Sequence, residues 1–272
     1  MIDALRYEIV RLRTIRSTYW LIGIALAFQL FFSMTIAWRL PDSGPLSGGD
    51  EPFGILVTIG ASAGFAPLFI AYVIGIFGVF TMGHEYRHGM IRATLTALPS
   101  RPAVFGAKVI VAAGVSGLAA LACVLVALLS AITFGVDMPT WAGFRSITLG
   151  TVIFAALFSL SGLAYAAITR NQTAAVALLL LVPTVIEAII KAVILSIHAA
   201  SDDPTSKDGL IKVLKFLPYD AGGQMYTRLS IGDLLEYFGV VPFGPVGGGL
   251  VMGTFVAILL AISAALFLRR DA

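Results

Sequence analysis

AVFGAKVIVAAGVSGLAALACVLVALLSAITF, residues 103–134, is a run of apolar and small residues that carries a single charge, Lys108. A helix crosses the hydrocarbon core of a bilayer in about 20 residues, so this run is longer than a bilayer requires and must tilt or project beyond it. Strands that cross a membrane would alternate in short segments. An unbroken run demands a helix, which satisfies its own backbone hydrogen bonds where no water can. Five other runs have the same character, at 18–38, 53–82, 144–168, 173–198 and 246–268. The expected fold class is all-α and integral to a membrane, with six spans.

Composition leads to the same class. Hydrophobic residues make up 58% and charged residues 12% of the 272, against roughly 45–50% and 25% in soluble domains. With a mean hydropathy of +0.95, the chain cannot cover a water-facing surface. A net charge of +3 is too small to suggest a nucleic-acid partner, and the single cysteine, Cys123, excludes an intrachain disulfide. The first apolar run is too long for a signal-peptide core and no A-x-A site follows it, so no cleavable signal is expected.

Six spans put both termini on one side, and the basic residues choose which. Arg6, Arg11, Arg13, Arg16, Arg87, Arg92, Arg101, Lys108, Arg170, Arg269 and Arg270 fall on one set of connections. The other set holds Arg39, Arg145, Lys207, Lys212, Lys215 and Arg228, with the acids Asp42, Asp50, Glu51, Asp202 and Asp203. Both termini are therefore expected to be cytoplasmic, in a multi-pass protein of the cell membrane.

Outside the spans, residues 1–17 read as an amphipathic helix along the inner interface, with Ile2, Leu5, Ile9 and Leu12 as its apolar stripe. Residues 18–272 form the transmembrane domain. Within it, 199–245 reads as an outer cap whose helices rest on the membrane face. Leu210, Val213, Leu214 and Leu217 form one apolar row there, and Ile231, Leu234, Leu235 and Phe238 another, with Ser230 and Asp233 resembling a capping box. Pro67 and Pro183 are expected to bend spans two and five. Gly244/Gly248 and Gly249/Gly253 permit close helix contact at the last span. Tyr19, Trp20, Trp38 and Trp141 are interface anchors.

The connection GHEYRHGMIRATLTALPSRPAVFGAK, residues 83–108, concentrates charge between spans two and three. On a continuous helix Glu85, His88, Arg92 and Thr96 share a polar face, Ile91, Leu95 and Leu98 an apolar row, and Pro99 and Pro102 break the helix. A charged amphipathic helix pinned between two spans suits docking to a soluble partner.

This run resembles the cytoplasmic loop of type 2 ABC transporter permeases. The pattern there is a Glu, an aromatic or basic pair, a Gly, a helix, a Pro/Ser-Arg turn and a Lys. Here those are Glu85, Tyr86 and Arg87, Gly89, the Leu95–Leu98 segment, Pro99-Ser100-Arg101 and Lys108. The six-span layout, the N-terminal helix and the large fifth connection extend the likeness over the whole chain. The resemblance implies the membrane subunit of an exporter built from two permease copies, or a permease and its paralogue, with two ATP-hydrolysing subunits. The loop 83–102 would be the coupling helix, with Glu85, Arg87, His88, Arg92 and Arg101 as its coupling residues. ATP and Mg would then bind the partner ATPase, with no cofactor on this chain. The sequence holds no G-x-x-x-x-G-K-[ST] phosphate loop, so ATP-driven work requires a separate chain. No catalytic residue and no covalent chemistry are expected here.

Two rival chemistries stand beside this one. His84-Glu85-Tyr86-Arg87-His88 is H-E-x-x-H, in which two imidazoles bind zinc and the Glu activates water. A third ligand is needed. Thr94 stands where the longer metzincin pattern has its third His, His198 is expected on the opposite face, and Glu8 is a distant acidic candidate. The second rival is an ion-coupled transporter built on Glu187. Glu187 and Lys191 lie at i, i+4 inside span five, where an unpaired charge costs at least about 2.5–3.5 kcal/mol, so the two are expected to pair. With Gln29 they are the candidate polar elements of a substrate path; Gln29 also suits helix–helix bonding. The apolar spans favour a hydrophobic or amphipathic cargo such as a drug, an antibiotic peptide or a lipid, with membrane lipid as a further contact.

Overall fold

Each helix boundary has a local cause. In the computed structural model, which describes residues 1–39, 51–58, 69–97, 100–200, 204–226 and 241–269, every described element is helical. The N-terminal helix α1 (Ile2–Thr14) ends where Ile15 turns extended, and α2 (Arg16–Arg39) starts at once. Helices α3 (Glu51–Thr58) and α4 (Phe69–Arg87) occupy the two ends of the expected second span. A short helix α5 (Ile91–Ala97) precedes α6 (Arg101–Phe134), which opens on Pro102 in its first turn and stops at Gly135 in the left-handed region. Proline is pre-set for a first turn and glycine for the residue past a last one. In α7 (Trp141–Thr169), the Thr140 hydroxyl accepts from the Gly143 N–H. Asn171, in a tight turn, caps α8 (Gln172–Leu181) by accepting from the Thr173 and Ala174 N–H groups.

The fifth span then departs from a plain α-helix. A π-helical turn, Val182–Ile186, follows α8 and carries Pro183, and α9 (Glu187–Ala200) continues from it. The bend expected at Pro183 is thus taken up as one wide turn. Helix α10 (Pro204–Val213), a 3₁₀ turn (Leu214–Phe216) and α11 (Pro218–Gly223) follow. Helix α12 (Gly244–Arg269) completes the described chain. Pro67, Leu98, Pro99, Asp42, Asp202, Asp203, Arg228, Arg270 and the row from Ile231 to Phe238 lie outside the described residues.

Five helices among the described residues are long and apolar enough to cross a membrane: Arg16–Arg39, Arg101–Phe134, Trp141–Thr169, the fifth-span run Gln172–His198, and Gly244–Arg269. The sixth expected span, 53–82, is described only as its two ends. At the centre is α7, packed on by α4, α6, α8 and α12, while α2 lies against α6. The largest buried cluster, including Phe154, Phe158, Leu163, Tyr165, Leu179 and Met252, gathers on α7. Polar side chains in the spans bond across helices: Ser116 to Ser159 at 2.7 Å, Ser33 to Ser130 at 2.8 Å, and Gln29 Nε2 to the Leu56 carbonyl at 2.9 Å. Gln29 is fully buried and bonds α2 to α3.

The segment 204–226 departs from the cap expected over 199–245. Its outer row is turned by one residue, burying Ile211, Leu214 and Leu217 against Ile194 while Leu210 and Val213 stay exposed. Helix α11 does not rest on a face at all: Tyr219, Ala221, Gly222 and Gly223 are buried among α7 and α12. A row read at helical spacing cannot tell a helix lying on a bundle from one inserted in it.

Helices α4 and α7 meet at Gly78, where an added Cβ would lie 1.9 Å from the Ser159 carbonyl oxygen. Gly78→Ala is expected to lower stability by about 1–3 kcal/mol, the usual scale of overpacking. Gly253, whose Cβ position is open, is the matched control: Gly253→Ala should leave stability unchanged or raise it by up to about 1 kcal/mol. Thermal unfolding of the three proteins in detergent checks both.

Candidate functional site: a buried ring of charge

The face of α1 that enters the protein takes in only half of its apolar stripe, Leu5 and Leu12. Ala4, Glu8, Arg11 and Leu12 are buried, whereas Ile2 and Ile9 remain exposed at 80% and 45%. Those outer isoleucines suit a helix lying on a membrane interface, with Leu5 and Leu12 packed on Phe77 and Val111. The inner face brings a carboxylate and a guanidinium, at i and i+3, to a buried site.

Two other helices complete it. In the second turn of α6 Lys108 points the same way as Val104, Val111 and Ala112, all buried. At the last turn of α4 Glu85 comes to the same point. The four charges alternate in a closed ring. Arg11 Nη1 lies 2.8 Å from Glu8 Oε2 and 2.9 Å from Glu85 Oε1; Lys108 Nζ lies 2.6 Å from Glu8 Oε1 and 2.5 Å from Glu85 Oε1. None of the four residues is more than 8% exposed. The Thr81 carbonyl, one turn before Glu85, accepts from both Arg11 Nη atoms at 3.1 Å and from Lys108 at 3.4 Å. Two cations thus balance two anions, and each charge has two opposite neighbours.

Beyond Glu85 the chain turns. Gly89 adopts φ +64°, which ends α4 at Arg87 and starts α5 in a new direction. The continuous polar face expected from Glu85 to Thr96 is therefore broken. Glu85 faces the interior, while Arg87, His88, Arg92 and Thr96 are exposed on the turn and α5. The apolar row is present, with Ile91 buried and Leu95 packed beside it. The Tyr7 hydroxyl meets the Thr94 hydroxyl at 3.2 Å, joining α1 to α5. Arg101 reaches the Leu268 carbonyl at 3.5 Å in the last turn of α12.

The H-E-x-x-H motif is drawn into this architecture. His84 packs on Phe80 and approaches the Ser17 hydroxyl at 3.5 Å, and its ring lies 6.0 Å from that of His88. Glu85, which would activate water in a zinc protease, is paired with Arg11 and Lys108 instead. Glu8, the distant acid, shares the cations Arg11 and Lys108 with Glu85. Among the described residues no group of three or more His, Cys, Asp and Glu side chains is arranged to hold a metal ion.

A second polar group lies in the fifth span. Glu187 accepts from the backbone N–H groups of Tyr219 and Asp220 at 2.9 and 3.0 Å. Lys191 pairs with Asp220 at 2.6 Å. Glu187 and Lys191, expected to pair with each other, thus each bond to α11. The partner, Asp220, was hidden in the sequence because nothing marks a residue 29 positions beyond Lys191 as its neighbour.

Removing one member of the ring should cost more than removing a matched pair, because a lone buried charge is left behind. Lys108→Met is expected to destabilise the protein by about 3–5 kcal/mol. Adding Glu85→Gln to it should recover part of that loss, a non-additivity read from a double-mutant cycle of unfolding midpoints. Additive losses would mean that the two residues act separately.

The chain matches the family model of the ABC-2 family transporter protein over residues 4–187. That span contains all four residues of the ring, the turn at Gly89, helix α5 and the π turn, and ends at Glu187 itself. No individual curated protein matches the chain significantly. With its apolar spanning helices, its ring at the α1–α4–α6 end and this match, the chain belongs to the ABC-2 family of transporter proteins, as a multi-pass membrane permease component whose ATP-binding cassette resides on a partner.

Proposed function

We propose that this permease works as the membrane subunit of an ATP-driven exporter, moving a hydrophobic or amphipathic substrate from the cytoplasm or inner leaflet by alternating access. The observation that carries the reading is the charge ring. It fastens α1, the end of α4 and the start of α6 together beside the exposed surface formed by Arg87, His88, Arg92 and Thr96. A partner ATPase that grips residues 84–98 pushes on a body joined to two spanning helices, so closure on ATP tilts those helices rather than flexing a loop. Two permease copies, or one and a paralogue, rock against each other in this scheme. Both termini, and with them the ring, lie on the cytoplasmic side.

Within this scheme the candidate coupling residues divide by position. Arg87, His88 and Arg92 are the docking surface. Glu85 holds that surface in place from inside, and Arg101 links the start of α6 to the end of α12. The apolar spans, in which hydroxyl and amide groups bond to neighbouring helices, favour an apolar cargo.

The test is reconstitution with the partner ATPase. Arg92→Ala is expected to leave assembly and basal hydrolysis intact while stimulation by the permease falls at least about fivefold, the lower range of coupling energies. Unchanged stimulation would remove Arg92 from the coupling surface. Transport that persists without ATP and vanishes in Glu187→Gln would replace the scheme with an ion-coupled one.

A further inference from the structure

The last turn of α4 carries two imidazoles on one side. His84 and His88 stand at i and i+4, and the helix is intact between them, since the His88 N–H donates to the His84 carbonyl at 3.1 Å. Their rings are nearly parallel, with 11° between planes and 6.0 Å between centres. Neither belongs to the charge ring: Glu85, which lies between them in sequence, is turned inward to Arg11 and Lys108.

The two rings differ in freedom. His84 is half-buried, with Phe80 edge-on against it at 4.6 Å and the Ser17 hydroxyl 3.5 Å from its Nε2. His88 is exposed, at the turn beside Gly89. One imidazole is thus held in place and the other is free to swing. A tetrahedral ion at about 2.0–2.1 Å from each nitrogen sets the ring centres about 5 Å apart, so a modest rotation of His88 closes the gap from 6.0 Å. Imidazole suits first-row ions such as Zn²⁺ and Cu²⁺.

The charges around the pair admit a cation. Arg11 is balanced by Glu8 and Glu85, and the last carbonyls of a helix attract positive charge. Arg87 is exposed, so salt and water screen its repulsion. Two protein ligands are fewer than the three of a catalytic zinc site or the four of a structural one. An ion held by two imidazoles therefore exchanges with the medium and follows its free concentration.

We propose that His84 and His88 form an exchangeable site for a divalent first-row ion, Zn²⁺ or Cu²⁺, on the surface that receives the partner ATPase, and that occupancy lowers coupling. An ion there engages His88, a member of the docking surface, and adds two positive charges beside Arg87 and Arg92. It also staples the last turn of α4, which fixes the exit of the chain toward Gly89 and α5. The effect on coupling rests on the permease reading above; the binding does not.

Untagged permease in detergent, titrated with Zn²⁺ in a calorimeter, should bind one ion per chain. His84→Gln and His88→Gln should each weaken binding at least about tenfold, a loss that even outer contacts of a metal site produce. His198→Gln, on α9, should leave binding unchanged. In the whole transporter, the ratio of ATPase stimulation with and without Zn²⁺ is taken within each protein. It should fall below one in the native complex, recover on chelation, and stay at one in His84→Gln.

No saturable binding, or binding that survives both substitutions together, means an adventitious ion only and overturns the site. Binding that leaves stimulation of the native complex unchanged overturns the regulation, with Arg92→Ala as the separate test of the coupling surface. If neither variant elutes as a single species, the electron resonance spectrum of Cu²⁺ on the native chain decides. Splitting from two imidazole nitrogens upholds the site, and splitting from one or none overturns it.

Discussion

Two carboxylates and two cations meet away from water at one end of the bundle, and the position of everything near them follows from that. Glu8 and Arg11 cannot be buried without Glu85 and Lys108, so α1 has one seat on the protein and one rotation about its axis. Glu85 in turn faces α1 and α6, which sends the chain outward at Gly89 and presents α5 as a surface. A buried ion pair seldom adds net stability, because desolvating each charge costs several kcal/mol. Its effect is on geometry: an alternating ring has few alternatives of comparable energy. Such a junction joins elements that must move together, since separating them would leave charges unpaired.

The same constraint recurs deeper in the bundle with other groups. The inserted α11 brings unpaired N–H donors into the bundle, and Glu187 and Lys191 from one helix answer both its backbone and its Asp220. Elsewhere the described spans rely on hydroxyl and amide bonds such as Ser116–Ser159 and Gln29–Leu56. Polar groups in this protein are therefore concentrated where elements join, and the rest of each helix is apolar.

Much of the fold could be read from the chain because crossing a bilayer leaves a local mark. Five of the six long runs coincide with helices long and apolar enough to cross a membrane, and the bend expected at Pro183 coincides with the π turn. The loop pattern around Glu85, with Lys108 closing it, pointed to the family that the match over residues 4–187 establishes. Partnerships were the illegible part. Glu8 meets Lys108 across 100 residues and Lys191 meets Asp220 across 29, and no periodicity reports either. The charged face drawn from Glu85 to Thr96 failed for a local reason, the left-handed Gly89. At α11 the expectation of a helix resting on the membrane face failed for a global one, since apolar rows look alike whether a helix lies on a bundle or within it.

The central claim is that α1, the end of α4, α5 and the start of α6 move as one body. Spin labels at Arg6 on α1 and Ala93 on α5, both exposed, report on it directly when their separation is measured by pulsed electron resonance in the whole transporter. The account predicts one narrow distance distribution that is the same in the nucleotide-free and ATP-trapped states. A distance that shifts between those states would contradict it, because the ring would then have opened during the cycle.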